Sequence, residues 1–464
     1  MAMPDANEQL ARRNGRTAAA VFAAAAAAAM AANFRVFPFP LFYFGLFVLG
    51  MRLILRARGV RAPFVTAAYL LFGAFTVFQL SWHALRGRVL PPLQGLALFP
   101  EITALCAVAT GALLGAAALR RRFSPWYLLD ALIFFNMLGP ALAAPYRSTD
   151  WGCGSVTNDG LIFLKTGTAH RFGVAFSPDG GTLYYSSREP DSRLYSCNVD
   201  GGGCVSRNIP NGEIYRLFTD ARRARLIALM YPGPDDARGP VSDTGSGSMC
   251  QFEIGRHGAL DSGRRLSIPA EFPVDAAFSP DARRLAVAHK YGTLHILDAD
   301  TGAVLASHDF GATTLYRTAW DRDGRRVFVS SPAGRVYELD AAARPTGREA
   351  AVALSAAGVA FAPDADILYV AAPFAGRVRA FGARSLRPEA SLRSRYLARE
   401  VAAAPGRVIA GSYKSGRADV FDARTGARLR ELRFGKMTRQ IAVSPDGRRA
   451  AAVSYCGVFA FNLK

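Results

Sequence analysis

The chain has 464 residues and a formal net charge of +20. Residues 1–147 are dominated by Ala, Leu, Phe and Val, whereas the rest alternates apolar and polar residues between Gly, Pro and Asp, which excludes one small soluble domain and points to two solvents. Before residue 150 there are 14 Arg against 4 acids, and after it 42 Lys and Arg against 32 acids, so both parts are basic. Such a surface favours anionic lipid headgroups or acidic partners, or reflects the bias of an Arg- and Ala-rich chain. No basic run is interleaved with aromatics, so nucleic acid is not expected as a partner.

Five apolar stretches open the chain, at about 17–34, 37–56, 62–83, 98–119 and 126–146. The last four reach or approach the roughly 20 residues that cross a bilayer. The first, "TAAAVFAAAAAAAMAAN", follows Arg12, Arg13 and Arg16 and reads either as a span or as the core of a cleaved signal. Arg52, Arg56, Arg58 and Arg61 follow the second stretch and Arg120, Arg121 and Arg122 the fourth, whereas the alternate loops hold only Arg35 or Arg86 and Arg88. The richer loops belong in the cytoplasm, which sends the chain out of the fifth stretch on the outer side. Glu101, Asp130 and His83 lie near span ends, where snorkelling or pairing with an Arg accounts for them. The expectation is an all-α membrane bundle of four or five transmembrane helices over 1–147, a linker at 148–158, and an outer domain from 159 to 464.

After residue 170 a unit recurs: an apolar strand, a turn such as Pro-Asp-Gly, a second apolar strand, a Gly-containing turn, and a third strand ending in Asp. "GVAFSPDGGTLYYSS" and "IAVSPDGRRAAAVSYCGVFAF" are examples. The turn aspartates Asp179, Asp220, Asp281, Asp323, Asp364 and Asp446 set a spacing near 40 residues, with a further unit at Pro405-Gly406 and a Gly- and Pro-rich insertion at 231–248. That makes seven units of an all-β propeller. The seventh lacks a fourth strand, and "GLIFLKT" at 160–166 is placed to supply it.

Through "FSPDG", "LDADTGAVL" and "FDARTGARL" the units resemble seven-bladed propellers of the YVTN and lactonase-like type over about 164–464. The resemblance implies the fold and little about activity, because such rings serve as enzymes, electron-transfer subunits and binding platforms.

Five cysteines follow residue 150 with no CxxC or CxxCH, so disulfides rather than zinc or haem are expected in an oxidising compartment. Cys197 and Cys204 flank "DGGG" and fall near-opposite across a hairpin; Cys153 and Cys456 meet if the closing strand pairs with the last blade. Aligning units on the turn puts Arg171, Asp275, Arg317, Arg399, Glu400, Arg439 and Gln440 near the channel mouth, where four Arg form a candidate anion ring. His289 and His295 read as strand residues rather than metal ligands, and no nucleophile elbow is present. No catalytic residue, cofactor or metal is assigned. The reading is a multi-pass protein of a bacterial inner membrane with a periplasmic propeller that binds a protein or a small anion. The alternatives are a lactonase-like hydrolase and an accessory subunit of a redox complex.

Overall fold

A computed structural model describes residues 39–57, 63–85, 100–119 and 124–148, Cys153, the strand Leu161–Leu164, and 171–463 apart from 188–192, 210–212, 232–247, 262, 269–271 and 363. The stretch 17–34 lies outside these residues. The chain divides into two compact units, Met1–Thr149 and Asp150–Lys464.

The first unit holds helices α1 (Phe39–Ala57), α2 (Pro63–Leu85), α3 (Pro100–Leu119) and α4 (Trp126–Ser148). Their packed face joins Leu46, Leu49, Tyr69, Phe72, Ile133 and Met137. Among the described residues, two segments are long and apolar enough to cross a membrane, Pro63–Ser81 in α2 and Ile102–Leu119 in α3. Helices α1 and α4 carry polar groups, Arg52 and Arg56 in α1 and Asp130 and Asn136 in α4. These groups meet partners within the unit. Arg52 and Tyr69 both donate to Asp130 Oδ1, the latter at 2.8 Å, and Asn136 donates to Gln79 at 3.0 Å.

The second unit is a seven-bladed β-propeller of seven four-stranded antiparallel sheets. Six blades are consecutive in sequence, at 171–208, 213–267, 273–309, 318–351, 359–393 and 398–433. The seventh takes three strands from 440–462, and Leu161–Leu164 pairs with its last strand, Leu161 opposite Phe461. The first strand of every blade touches the first strands of both neighbours, blade 7 against blade 1 included. Seven apolar clusters fill the joints, one for each pair of adjacent blades; Phe328, Leu368, Val370 and Phe381, for instance, belong to blades 4 and 5. A blade thus packs on two sides, which is why the second strands read as continuous apolar runs such as "RLAVAH" while outer strands are exposed.

Two polar devices repeat around this ring. In the Ser-Pro-Asp turns, Ser177, Ser279 and Ser444 donate to Asp179, Asp281 and Asp446 at 2.5–2.6 Å and accept the backbone N–H at the start of the second strand. The hydroxyl bond holds each carboxyl below its usual range. The second device is an arginine opening the second strand. Arg225 donates to Ala299 O at 2.8 Å, Arg284 to Ala341 O at 3.4 Å, Arg326 to Ala383 O at 2.6 Å and Arg407 to Leu463 O at 3.3 Å, each acceptor lying in the next blade just past its third strand. Part of the chain's Arg content is therefore structural stitching.

Candidate functional site

The channel is lined by the first strands, and their register places one residue of each blade at the same depth: Gly173, Arg216, Asp275, Arg317, Gly358, Glu400 and Gln440. The pairings Arg216 with Leu229, Asp275 with Ala288, Glu400 with Gly411 and Gln440 with Val453 fix this level. Gly173 N–H reaches Ser186 Oγ, and the Arg317 and Gly358 carbonyls accept from Ser330 and Ala371 at the matching positions. Glycine is required at two of them, because a Cβ would sit 3.0 Å from the backbone of Arg216 at Gly173 and 2.6 Å from Arg399 O at Gly358.

Four of the seven form a buried ionic layer. Arg317 Nη2 donates to Glu400 Oε1 at 2.6 Å and Arg216 Nη1 to Oε2 at 3.2 Å, while Arg216 Nε lies 2.9 Å and Arg317 Nε 3.9 Å from Asp275 Oδ1. Asp275 Oδ2 also accepts from Thr318 N–H at 2.8 Å. Two cations face two anions, so the layer is neutral. Burial pushes the Asp275 carboxyl up against the pull of Arg216 and Arg317. At Glu400 burial is outweighed by Arg317 and Arg216, which hold that carboxyl below its usual range. Gln440 completes the layer through the backbone of two other blades, donating to Leu217 O at 2.6 Å and accepting from Leu217 N–H at 3.1 Å and Val174 N–H at 3.3 Å.

A cavity lies on each side of this layer. Toward the Ser-Pro-Asp turns it is about 440 Å³ and walled by the next residues along the strands, among them Val174, Leu217, Val359, Val401 and Ile441. On the opposite side, where the first strands begin, is a cavity of about 120 Å³ lined by Phe172, Tyr215, Tyr316, Tyr413, Arg399 and Arg439. Arg399 lies 4.8 and 4.6 Å from the ring centres of Tyr316 and Tyr413, and its Nε donates to the Tyr316 hydroxyl; Arg439 lies 4.9 Å from Phe172 and 5.3 Å from Tyr413. Among the described residues neither guanidinium has a carboxylate within ion-pair distance.

The residues expected at the mouth separate into two groups. Asp275, Arg317, Glu400 and Gln440 sit in the neutral layer and Arg399 and Arg439 in the aromatic cavity. Arg171 opens its strand opposite Ser187, and its side chain lies outside the described residues. Arg216 was missed because Asp220 was aligned with Asp179. The structure pairs Asp220 with Arg225 as it pairs Ser177 with Thr182 and Ser279 with Arg284, so Asp220 stands in the serine's place and unit 2 shifts by two residues. Apolar alternation in "EIYRLFTD" against "RLIALMY" carried the correct register. Phe172, Tyr215 and Tyr316 immediately precede the layer residues and were equally legible once that level was known.

Cys153–Cys456 and Cys197–Cys204 are disulfides, with Cα separations of 5.4 and 4.1 Å. Cys250 is a buried free thiol that burial pushes up, unsuited to nucleophilic work. His289 and His295 face each other at 2.9 Å between Nε2 and Nδ1 within blade 3. Among the described residues no group of three or more His, Cys, Asp or Glu is placed to hold a metal ion. No protein-family model matches the chain, and no curated protein matches it. Its class, a seven-bladed β-propeller stapled by two disulfides, follows from its own architecture.

Proposed function

We propose that the protein is a multi-pass protein of a bacterial inner membrane whose propeller, of the YVTN and lactonase-like type, stands on the periplasmic side and binds an anionic group at the channel mouth. The anion belongs to a small molecule or to the surface of a partner protein. The observation that carries the binding role is the pair Arg399 and Arg439, two guanidinium groups held on aromatic rings with no carboxylate partner. Such an arrangement positions planar, always-charged donors while leaving their edges open to an incoming carboxylate or phosphate.

Three observations support the setting. The candidate spans in α2 and α3 leave most of their apolar side chains exposed, Leu71, Phe78, Leu105, Val108 and Leu113 among them, so their surfaces call for a non-aqueous solvent. Arg52 and Asp130 neutralise each other, which lets α1 and α4 join them as a bundle of four, with 17–34 as a fifth span if it is retained. The two disulfides suit an oxidising compartment. A reporter active only outside the cytoplasm, fused after Lys464, is expected to be active; activity instead from a cytoplasm-only reporter at that position would reverse the orientation.

Binding is tested by isothermal titration of the detergent-purified chain with a panel of small carboxylates and phosphates. Arg399→Ala and Arg439→Ala are each expected to weaken a binding anion by about 10- to 100-fold, the value of one charge-assisted bond. A ligand that binds the double variant as it binds the native chain would place the site elsewhere.

A further inference from the structure

The side of the propeller on which the first strands begin is uneven in charge. In blades 4 to 6 its loops are 331–334, 352–358, 373–376, 394–397, 413–416 and 434–439, and none of them contains Asp or Glu. The turns at the other ends of these blades mix both signs, as in Asp321, Arg322, Asp323 and Arg325. Around the acid-free loops the ends of the outer strands are cationic. In blade 5, Arg377 stands directly opposite Arg393, and both are exposed. Arg377 donates to Ser391 Oγ at 3.3 Å, and among the described residues neither arginine has a carboxylate within ion-pair distance. In blade 6, Arg417 stands opposite Arg433, and the two share Glu431 with Arg395, at 3.0 and 3.4 Å for Arg417 and Arg433. Blade 4 shows the balanced form, in which Arg335 faces Ala351 and pairs with Glu349. Like charges facing across two strands are unfavourable, so blades 5 and 6 hold an excess of positive charge that an anionic surface would offset.

Apolar side chains stand among these arginines. Leu354, Phe374 and Tyr396 lie in three of the acid-free loops and are 88 %, 39 % and 37 % exposed, and Leu354 is the most exposed large apolar side chain described in the propeller. The Phe374 and Tyr396 ring centres are 6.4 Å apart. Arginines around aliphatic and aromatic tips suit the boundary between water and lipid. The chain also enters the propeller on this side, where Cys153 is bonded to Cys456 in the turn between the second and third strands of blade 7. Cys153 follows Ser148, the end of α4, by five residues, at most about 18 Å of extended chain. We propose that this side of blades 4 to 6 rests on an anionic lipid surface, with Leu354, Phe374 and Tyr396 entering the headgroup layer and Arg377, Arg393 and Arg417 binding lipid phosphates. An acidic protein would satisfy the arginines equally well; the short tether and the bare Leu354 favour lipid. This inference rests on the membrane reading of the first unit.

The full chain is placed in nanodiscs of phosphatidylglycerol or of phosphatidylcholine, and its hydrogen exchange is followed by mass spectrometry. Peptides covering 352–358, 373–376 and 394–397 are expected to exchange at least about fivefold more slowly in phosphatidylglycerol, the value of one Arg near an anionic surface, while the turn 340–344 on the other side does not change. Salt at about 0.5 M should release the three loops, because it screens exposed charges. Arg377→Glu combined with Arg393→Glu, which breaks no ion pair among the described residues, should remove the difference between the lipids. Equal rates of the native chain in both lipids would overturn the proposal, as would a double variant protected like the native chain. Release of the chain from membranes by alkaline carbonate would overturn the membrane reading alone, because the released chain mixed with phosphatidylglycerol vesicles tests the same loops.

Discussion

Glu400→Ala is expected to destabilise the propeller by about 3–5 kcal/mol, the cost of removing one partner from a buried ion pair. The size follows from the sharing of this carboxylate: Arg317 and Arg216 each hold one of its oxygens, at 2.6 and 3.2 Å, and both side chains are only 9 % exposed. Without it, two guanidinium groups in the channel would be left with Asp275, whose carboxyl burial already pushes up. Gln440→Ala, which removes hydrogen bonds to uncharged backbone, should cost less, about 1–3 kcal/mol. Denaturant unfolding of the full chain, followed by its β-sheet circular dichroism, compares the two. A Glu400→Ala loss no larger than that of Gln440→Ala would show that water enters the layer and solvates the freed arginines. Replacing Arg216, Arg317, Asp275 and Glu400 together by apolar residues of like volume should restore much of the stability, since a neutral layer returns little net energy over an apolar one.

The two disulfides should differ in value by their loops. Cys153–Cys456 spans 303 residues and Cys197–Cys204 spans 7. In the chain-entropy account, Cys456→Ser should cost about 5 kcal/mol and Cys204→Ser roughly 2–3 kcal/mol. The first closes the whole ring, tying the segment before the strand Leu161–Leu164 to the blade that strand completes. The second only pins a hairpin that its own turn already folds, with Gly201 and Gly203 at positive φ. Unfolding of the oxidised single variants measures this order, and equal losses would show that the paired strand alone closes the ring.

Much of the propeller was legible because its signals repeat. The Ser-Pro-Asp turns recur with the same bonds in blades 1, 3 and 7, and turns with Asp three residues before a Thr-Gly pair recur at Asp298 and Asp422, each accepting from its Thr N–H at 2.8 Å and hydroxyl at 2.9 Å. Register failed where the chemistry was substituted, at Asp220, and the error hid Arg216, a member of the ionic layer. The division of the mouth arginines was not legible at all. Arg317 and Arg399 are both arginines near a strand start, and only the side-chain partners show that one is spent on Glu400 and the other rests on Tyr316 and Tyr413. The helices posed the reverse problem. Asp130 near a span end invited pairing with an Arg, and it pairs with Arg52, but helix α1 was needed to name the partner and to show that Oδ2 is left over.

The bond between Cys153 and Cys456 also decides how tension travels. Cys456 lies in the turn joining the second and third strands of blade 7, between Ser454 and Gly457. A pull on the chain ahead of Cys153 passes through the sulfur bridge directly into that blade, and the four-residue strand Leu161–Leu164 lies downstream of the bridge, unloaded. Once the bridge is reduced, the same pull reaches the strand and loads its pairing with the last strand of blade 7. The oxidation state of one cysteine pair therefore sets whether the ring is mechanically a tethered body or an edge that peels open.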